Sequence, residues 1–469
     1  MGDPSRAFPG VVKSALDSDR GAEVIVGCIP VMGLFAFVWP DMTDAASIVL
    51  VAGTIYVALR WRINLQTPPF VLSCIWIAFI VFAAMYATLE NSPGNQFRSL
   101  EKHLPIALGP IGAIVLTVAC NRLRINRDRL IVLFLSGLIA GATLVLLCNG
   151  MLDVLAHGNP DAGALGKLNR NYAALACGIS LISIAALVVF LSGSGRMRKR
   201  WRASVIVILV SIFLSEGILL VMLESRTGYA ATALGLVVWC VLTLRAGARG
   251  ASRSPGLIVA AAIVAIATFG VAYYFSLISN RISADGSTAV YLRELAGLVQ
   301  GHAMDSASLS AAGSERLQLI AVALDLIHQR PWLGWGPNAS QLVALFSPYP
   351  GIRNLNQFHN GYLEFLVSFG AGGGVLIAAL IGVLIWSAFR RGRSVQPDNI
   401  APPLFAAMIG LMAYILVTNV TESAIFVKPV GFICMFVAAL ACMRDRAATA
   451  DVIEGRLTAQ GQDESHILR

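Results

Sequence analysis

Long apolar runs separated by short polar links make up most of this chain. A helix rises 1.5 Å per residue, so about 20 apolar residues cross the hydrocarbon layer of a bilayer. Twelve runs approach that length, and each predicts a membrane-spanning helix. They cover residues about 22–39, 44–59, 69–89, 104–120, 130–149, 171–192, 204–223, 228–244, 256–278, 371–389, 401–420 and 424–443. The pattern predicts an all-α polytopic membrane protein.

The link between the ninth and tenth spans, residues 279–370, is far longer than the others. It opens with a Ser-, Ala- and Gly-rich stretch, and apolar residues then recur at helical spacing from Leu317 to Ile327. Ser314 can cap the start of this helix, and Pro331 ends it. The long link is therefore predicted to be partly helical, with a Gly- and Pro-broken aromatic turn after Pro331.

Residues 361–369 are apolar but too short to span, and a glycine-rich run follows at 370–374. The run lacks the Lys-Ser/Thr ending and the preceding strand of a phosphate-binding loop. We therefore interpret 361–369 as a helix lying under the outer surface, bent at the glycines before the tenth span.

The composition agrees with a membrane location, because 13% of residues are charged against about 25% in soluble domains. The net charge is +9, and the basic residues follow topology rather than a nucleic-acid surface. With a cytoplasmic N-terminus, 24 of the 35 Lys and Arg fall on the inner side, which predicts twelve spans with both ends inside. The first run lacks a small-residue cleavage site and is interpreted as a retained signal anchor.

The predicted organisation follows from these spans. The segments are a cytoplasmic tail at 1–21, spans one to nine at 22–278, an outer loop at 279–370, spans ten to twelve at 371–443 and a cytoplasmic tail at 444–469. The eight cysteines lie within or at the edges of apolar spans without metal-ligand spacing, so neither a disulfide nor a metal site is expected.

Polar residues at the outer surface are the candidates for chemistry. His359 lies between polar neighbours just before an apolar run, and a neutral imidazole can act as a general base. An ordinary histidine at the membrane interface is the alternative interpretation.

Arg226 lies in an outer link with almost no loop, which holds its guanidinium at the membrane surface. A guanidinium can pair two phosphate oxygens, although Arg226 can also extend toward lipid phosphates. Arg316 lies in the first turn of the predicted helix, where the helix dipole attracts an anion. A solvated residue at a helix end is the alternative for Arg316.

Glu216 lies inside the seventh span, and an intramembrane carboxylate is a functional candidate. A protonated or hydrogen-bonded glutamate between helices is the alternative. A transporter would need coupling residues deep in its spans, and Glu216 is the candidate there. The sequence shows neither internal repeats nor paired broken helices, which argues against a transporter.

Several outer segments, in this order, resemble the O-antigen ligase and polymerase superfamily of bacterial inner-membrane glycosyltransferases. The similar segments are Leu168-Asn169-Arg170-Asn171-Tyr172-Ala173, Ser225-Arg226-Thr227-Gly228, Ser314-Glu315-Arg316-Leu317, Arg330-Pro331-Trp332-Leu333-Gly334-Trp335-Gly336 and Phe358-His359-Asn360-Gly361-Tyr362-Leu363, with Gly370 and Gly374. The resemblance covers about residues 165–445. Within the superfamily, the chain looks most like the ligase that joins O-antigen to the lipid A core.

The resemblance implies a metal-independent, inverting transferase that needs no cofactor and has its active site at the periplasmic face. It implies an undecaprenyl diphosphate-linked polysaccharide as donor and lipid A–core oligosaccharide as acceptor. The implied catalytic residues are His359, Arg316 and Arg226. Substrate contacts are expected from Arg170, Lys167, Gln357, Asn360 and Tyr362.

The chemistry of the implied reaction agrees with these residue types. Breaking a sugar–diphosphate bond leaves negative charge on the diphosphate, and fixed arginines can stabilise it where a metal ion otherwise would. The same residues would also serve an O-antigen polymerase or a protein O-oligosaccharyltransferase, which differ in the acceptor. The sequence alone does not separate these acceptors.

Overall fold

The computed structural model describes helices in ten of the twelve apolar runs and in the second half of the long outer link. The described residues are 19–38, 67–92, 94–123, 125–157, 168–193, 197–223, 225–247, 315–355, 357–392 and 401–443. The helices are α1 Asp19–Val38, α2 Pro68–Leu89, α3 Pro105–Arg122, α4 Arg127–Cys148, α5 Met151–His157, α6 Arg170–Gly193, α7 Lys199–Met222, α8 Arg226–Gly247, α9 Glu315–Gln329, α10 Leu342–Phe346, α11 Gly361–Gly392, α12 Pro402–Thr421 and α13 Lys428–Cys442.

The predicted fold class, an all-α polytopic membrane protein, is confirmed. Ten of the twelve predicted spans coincide with described helices, and the spans at 44–59 and 256–278 lie outside the described residues. Seven of the described helices are long and apolar enough to cross a membrane. The bent pair at 97–103 and 105–120 adds an eighth if it crosses as one. Twelve spans, and the segment boundaries built on them, stay a prediction.

Helix α6 lies at the centre of the bundle and packs against α4, α7, α8 and α12. Small residues allow the close approach between these helices. A side chain at Gly178 would collide with the Tyr414 ring, and Gly235 and Gly410 bring α8 and α12 together. The Tyr414 hydroxyl donates to the Ala174 carbonyl at 3.2 Å, which satisfies its polar group inside the bundle.

Helix α11 is broken at Gly370, as the sequence predicts. Gly370 has φ 59° and ψ −164°, which separates the part at 361–369 from the longer part after it. A Cβ at Gly370 would lie 2.5 Å from the Trp332 carbonyl carbon, so the position also requires the absence of a side chain.

The segment at 331–336 supplies backbone partners on both sides of this break. The N–H groups of Trp335 and Gly336 donate to the carbonyls of Val367 and Ser368, each at 2.9 Å. The N–H groups of Ala371 and Gly372 donate to the carbonyls of residues 331 and 332, at 2.7 and 3.1 Å. Backbone groups that the broken helix leaves unpaired are therefore satisfied by the aromatic turn.

Helix α9 is the helix predicted within the long link, and its predicted cap, Ser314, lies outside the described residues. Its apolar face packs with Trp335, Phe358 and Val367 in one buried cluster. The Trp335 indole N–H donates to the Leu326 carbonyl at 2.9 Å. The broken helix, the aromatic turn and α9 thus form one packed unit.

The links predicted to be on the same side meet at the same end of the bundle. At one end, residues from the starts of α6 and α9 and from the link before α11 contact Glu422, in the link after α12. At the other end, the Ala401 N–H donates to Asp128 at 2.7 Å, and Arg127 donates to the Met443 carbonyl at 2.8 Å. These contacts agree with the predicted alternation of the spans, which stays a prediction. We call the first end the outer end.

His103 joins the link before α3 to the aromatic turn. Its Nε2–H donates to the Pro337 carbonyl at 3.1 Å, and its ring lies 4.7 Å from the Phe369 ring. Burial lowers the pKa of His103 to about 4; the Pro337 hydrogen bond opposes this shift and Lys102 adds to it. An unfolded histidine binds its proton near pH 6.5. Between these values the unfolded state binds more protons, so stability falls as the pH falls.

We expect the melting temperature in detergent to fall by several degrees from pH 6.5 to pH 4, and to fall less in His103→Gln. Glutamine keeps an N–H donor for Pro337 without titrating. The exposed His328 offers a matched control, since His328→Gln should keep the wild-type slope. Equal slopes for wild type and His103→Gln, measured by a thermal-shift assay, would contradict this account.

Candidate active site

Three side chains from distant parts of the sequence meet at the carboxylate of Glu422. The His359 Nδ1 lies 3.0 Å from Oε2. The Arg316 Nη2 lies 3.3 Å from Oε1, and the Asn171 amide donates to the same oxygen at 2.7 Å. The structure thus brings the predicted residues His359 and Arg316 together, around a carboxylate that the sequence analysis did not select.

Glu422 is held at the end of α12, in the short link to α13. Its backbone N–H donates to the Thr418 carbonyl at 3.0 Å, and the chain then turns to extended geometry at φ −141° and ψ 152°. The next residue, Ser423, is buried and makes its own hydrogen bond. The carboxylate therefore projects from the start of a link that is anchored to the end of α12.

His359 has a left-handed backbone conformation, with φ 49°. This region is uncommon for residues other than glycine, and it persists where neighbouring structure enforces it. On one side, Phe358 is 1% exposed in the cluster that α9 forms. On the other side, the Asn360 Oδ1 accepts from the N–H groups of Tyr362 and Leu363, both at 3.0 Å, and caps α11. A buried anchor and a helix cap thus fix the direction of the imidazole.

The contact with Glu422 sets the imidazole up for proton transfer. When Nδ1–H donates to the carboxylate, Nε2 carries the lone pair, as a general base requires. The side chains of His359 and Glu422 are 22% and 16% exposed, so the pair is partly shielded and still reachable from outside. The Gln357 Nε2 lies 3.3 Å from both ring nitrogens and covers one side of the ring.

Arg316 projects from the first turn of α9, and its side chain is 49% exposed. The guanidinium donates to Glu422 with one nitrogen, which leaves further N–H groups toward the open side. This half-exposed cation can pair with an incoming anion without leaving the neighbourhood of His359.

Arg226 begins α8 at the same end of the bundle, and its side chain lies outside what the structure describes. The backbone nevertheless places residue 226 near Glu422. Thr227 follows Arg226, and Thr421 precedes Glu422. The hydroxyls of these two threonines lie 2.5 Å apart.

The predicted substrate-binding residues differ in where they lie. Arg170 is exposed at the start of α6, next to Asn171, and Lys167 lies outside the described residues. The Asn360 side-chain oxygen Oδ1 accepts the hydrogen bonds of the helix cap, and the Tyr362 hydroxyl donates to the Leu416 carbonyl at 2.9 Å. Their part in binding substrate stays a prediction.

Glu422, Asn171 and Glu364 belong to this region and were missed in the sequence. Outer cations stand out because topology disfavours them, whereas outer carboxylates are ordinary. Glu422 nevertheless lies in a link of a few residues between two spans, the same feature that singled out Arg226. A search for charged side chains of either sign in short outer links would have selected Glu422 together with Arg226.

Glu216 lies apart from this cluster. It is fully buried in α7, and the Thr143 hydroxyl of α4 donates to its Oε1 at 2.8 Å. This contact agrees with the interpretation of a hydrogen-bonded glutamate between helices.

Comparison with known proteins places these residues in a wider context. The family model described as O-antigen ligase matches residues 212–378, which include Arg226, Arg316 and His359. A curated protein, the general O-oligosaccharyltransferase of Acinetobacter baylyi (strain ATCC 33305 / BD413 / ADP1), is 29% identical over 148 residues. That match covers 30% of this chain and spans a quarter of the relative's length, 25%.

We expect Glu422→Gln to lower glycosyl transfer in purified membranes about a hundredfold, because the amide neither stabilises an imidazolium nor fixes the Nδ1–H tautomer. Glu315→Gln is the matched control, since it removes an exposed carboxylate next to Arg316 at the same end of the bundle. Transfer by Glu422→Gln within twofold of the control, at equal protein levels, would show that the carboxylate does not act on His359.

Proposed function

We propose that this chain is a glycosyltransferase of the O-antigen ligase superfamily that acts at the periplasmic face of the bacterial inner membrane. The match of residues 212–378 to the O-antigen ligase family model and the similarity to an O-oligosaccharyltransferase support this proposal. Its donor would be an O-antigen polysaccharide on undecaprenyl diphosphate, and its acceptor lipid A–core oligosaccharide. The observation that carries this proposal is the contact of His359 and Arg316 with one carboxylate, Glu422, at the outer end of the bundle.

In the proposed reaction, His359 acts on the acceptor. Its Nε2 accepts the proton of an acceptor hydroxyl while that oxygen attacks the anomeric carbon of the donor sugar. Glu422 stabilises the imidazolium that forms, as a carboxylate does in a catalytic triad. A base on one face of the sugar and a leaving group on the other would invert the anomeric configuration.

Arg316 and Arg226 act on the leaving group. As the bond between the anomeric carbon and the diphosphate oxygen breaks, the electron pair stays on the diphosphate, which gains negative charge. Fixed guanidinium groups stabilise that charge where it develops. Arg316 is half exposed beside Glu422, so it can turn one face to the diphosphate while His359 keeps its carboxylate partner.

A membrane setting suits this reaction because donor and acceptor both carry lipid anchors. Holding both in one cleft converts a bimolecular step into a nearly unimolecular one, which can lower the barrier by several kcal/mol. The proposed substrate contacts lie near the site residues along the chain. They are Lys167 and Arg170, close to Asn171, and Gln357, Asn360 and Tyr362, close to His359.

The curated relative supports a second candidate, a protein O-oligosaccharyltransferase, in which the acceptor is a hydroxyl of a protein. The proposed chemistry is the same, because His359 would deprotonate either hydroxyl. An O-antigen polymerase would use the same residues with a growing glycan as acceptor.

A deletion strain separates these acceptors. If the chain is the ligase, mass spectrometry of lipopolysaccharide should show the core without O-antigen, and lipid-linked polymer should accumulate. Plasmid-borne His359→Ala, Arg316→Ala and Arg226→Ala should each fail to restore the ligated product, whereas the control Arg98→Ala, an exposed outer arginine away from Glu422, should restore it. Intact lipopolysaccharide with loss of glycoprotein would establish the oligosaccharyltransferase instead. A core that carries single O-antigen repeats would establish the polymerase.

The pH dependence of transfer separates a base from a cation at His359. A base must be neutral, so we expect the rate in purified membranes to rise as the pH is raised from acid to neutral. Arg316→Ala should lower the rate and keep the shape of the profile. A rate that falls with rising pH would indicate that His359 acts as a cation on the diphosphate.

A further inference from the structure

Two short segments carry the central residues of the site, and both lie in links between helices. His359 lies in the link before α11, with a left-handed backbone. Glu422 lies in the link after α12, with an extended backbone. Links between helices are normally the mobile parts of a fold, yet a base and its carboxylate must stay within hydrogen-bond distance. Some contact between the two segments has to hold that distance.

Glu364 and Ser423 provide such a contact. Glu364 lies in the first turn of α11, five residues after His359, and Ser423 directly follows Glu422. The Ser423 hydroxyl donates to the Glu364 Oε2 at 2.5 Å. Glu364 is 6% exposed and Ser423 is 5% exposed, so water does not compete strongly for this bond.

The surroundings of Glu364 tie it to the His359 segment. Its backbone N–H donates to the carbonyl of Asn360, the residue after His359, at 2.9 Å. The charged and titratable groups that face Glu364 are Lys102, from the link before α3, and His359. Glu364 therefore joins the segment that carries His359 to Ser423, the residue after Glu422.

Close contacts also join α11 and α12, the two helices next to these links. Gly361 lies so close to Asn419 that a Cβ there would be 2.0 Å from the Asn419 Oδ1. The Tyr362 hydroxyl donates to the Leu416 carbonyl at 2.9 Å. These contacts fix the distance between α11 and α12. The links at the ends of these helices need a contact of their own.

We propose that Glu364 and Ser423 form a positioning pair that holds His359 and Glu422 in register. The pair touches neither substrate nor the reacting atoms. It acts by fixing the two links against each other, so that Nδ1–H of His359 keeps its carboxylate and Nε2 faces outward. Its effect on turnover rests on the proposed function, whereas its effect on the imidazole does not.

The closing experiment uses the full chain in membranes and the variants Ser423→Ala and Glu364→Gln. With purified lipid-linked donor, we expect kcat to fall about ten- to a hundredfold in both, with KM for the donor unchanged, because the base is misplaced and the arginines are not. Ser99→Ala is the matched control, since it removes a buried hydroxyl at the outer end that donates to Asn338 at 2.8 Å. It should keep the wild-type kcat.

A second readout does not depend on transfer. Solid-state NMR of protein carrying ¹⁵N-labelled histidine reports which ring nitrogen bears the proton, and a His359→Gln sample identifies the signal among the six histidines. Wild type should show Nδ1–H at His359, and Ser423→Ala and Glu364→Gln should shift it toward Nε2–H. Glu422→Gln should produce the same shift as a positive control, and Ser99→Ala should not.

The outcomes separate this inference from the proposed function. An unchanged His359 signal in both variants overturns the positioning pair, whatever happens to transfer. A shifted signal with undiminished kcat supports the pair and counts against His359 as the base. If Glu364→Gln does not fold, Ser423→Ala alone decides, because it removes one oxygen and leaves the carboxylate in place.

Discussion

A helix that breaks beside an apolar layer leaves backbone N–H and C=O groups without partners, and such groups are costly to leave unpaired there. The break of α11 at Gly370 meets this constraint with the aromatic turn, which donates two N–H groups and accepts two. The positions of the other outer segments depend on these hydrogen bonds between the turn and the broken helix. The turn is fixed to the broken helix, Trp335 then fixes α9, and α9 carries Arg316 to its place beside His359.

Glu422 completes the site from the other half of the fold. It follows α12, which packs on the central helix α6, and α6 in turn supplies Asn171. A single carboxylate thus receives an imidazole, a guanidinium and an amide from three separate segments. Carboxylates accept several hydrogen bonds at once, so one glutamate can join segments that pack through different helices.

The sequence predicted those features that depend on local pattern. Helix positions followed from apolar runs and the bend at Gly370 from a run of glycines. His359 and Arg316, which both contact Glu422, were selected as polar residues at the outer surface. Glu422 and Asn171 were not predicted, because residues 251 positions apart make a contact that no period or spacing records. Asn360 was assigned to substrate, yet its side-chain oxygen caps a helix; a cap and a ligand contact use the same residue type, and sequence does not separate them.

The left-handed backbone of His359 has a consequence for the balance between folding and chemistry. A residue with a Cβ at φ 49° adopts a conformation that its own backbone disfavours, and glycine at that position would relieve it. The side chain of residue 359 is therefore present at a backbone conformation that favours glycine. Under the proposed function, stability and the base are opposed at this residue, because His359→Gly would relieve the backbone and remove the imidazole.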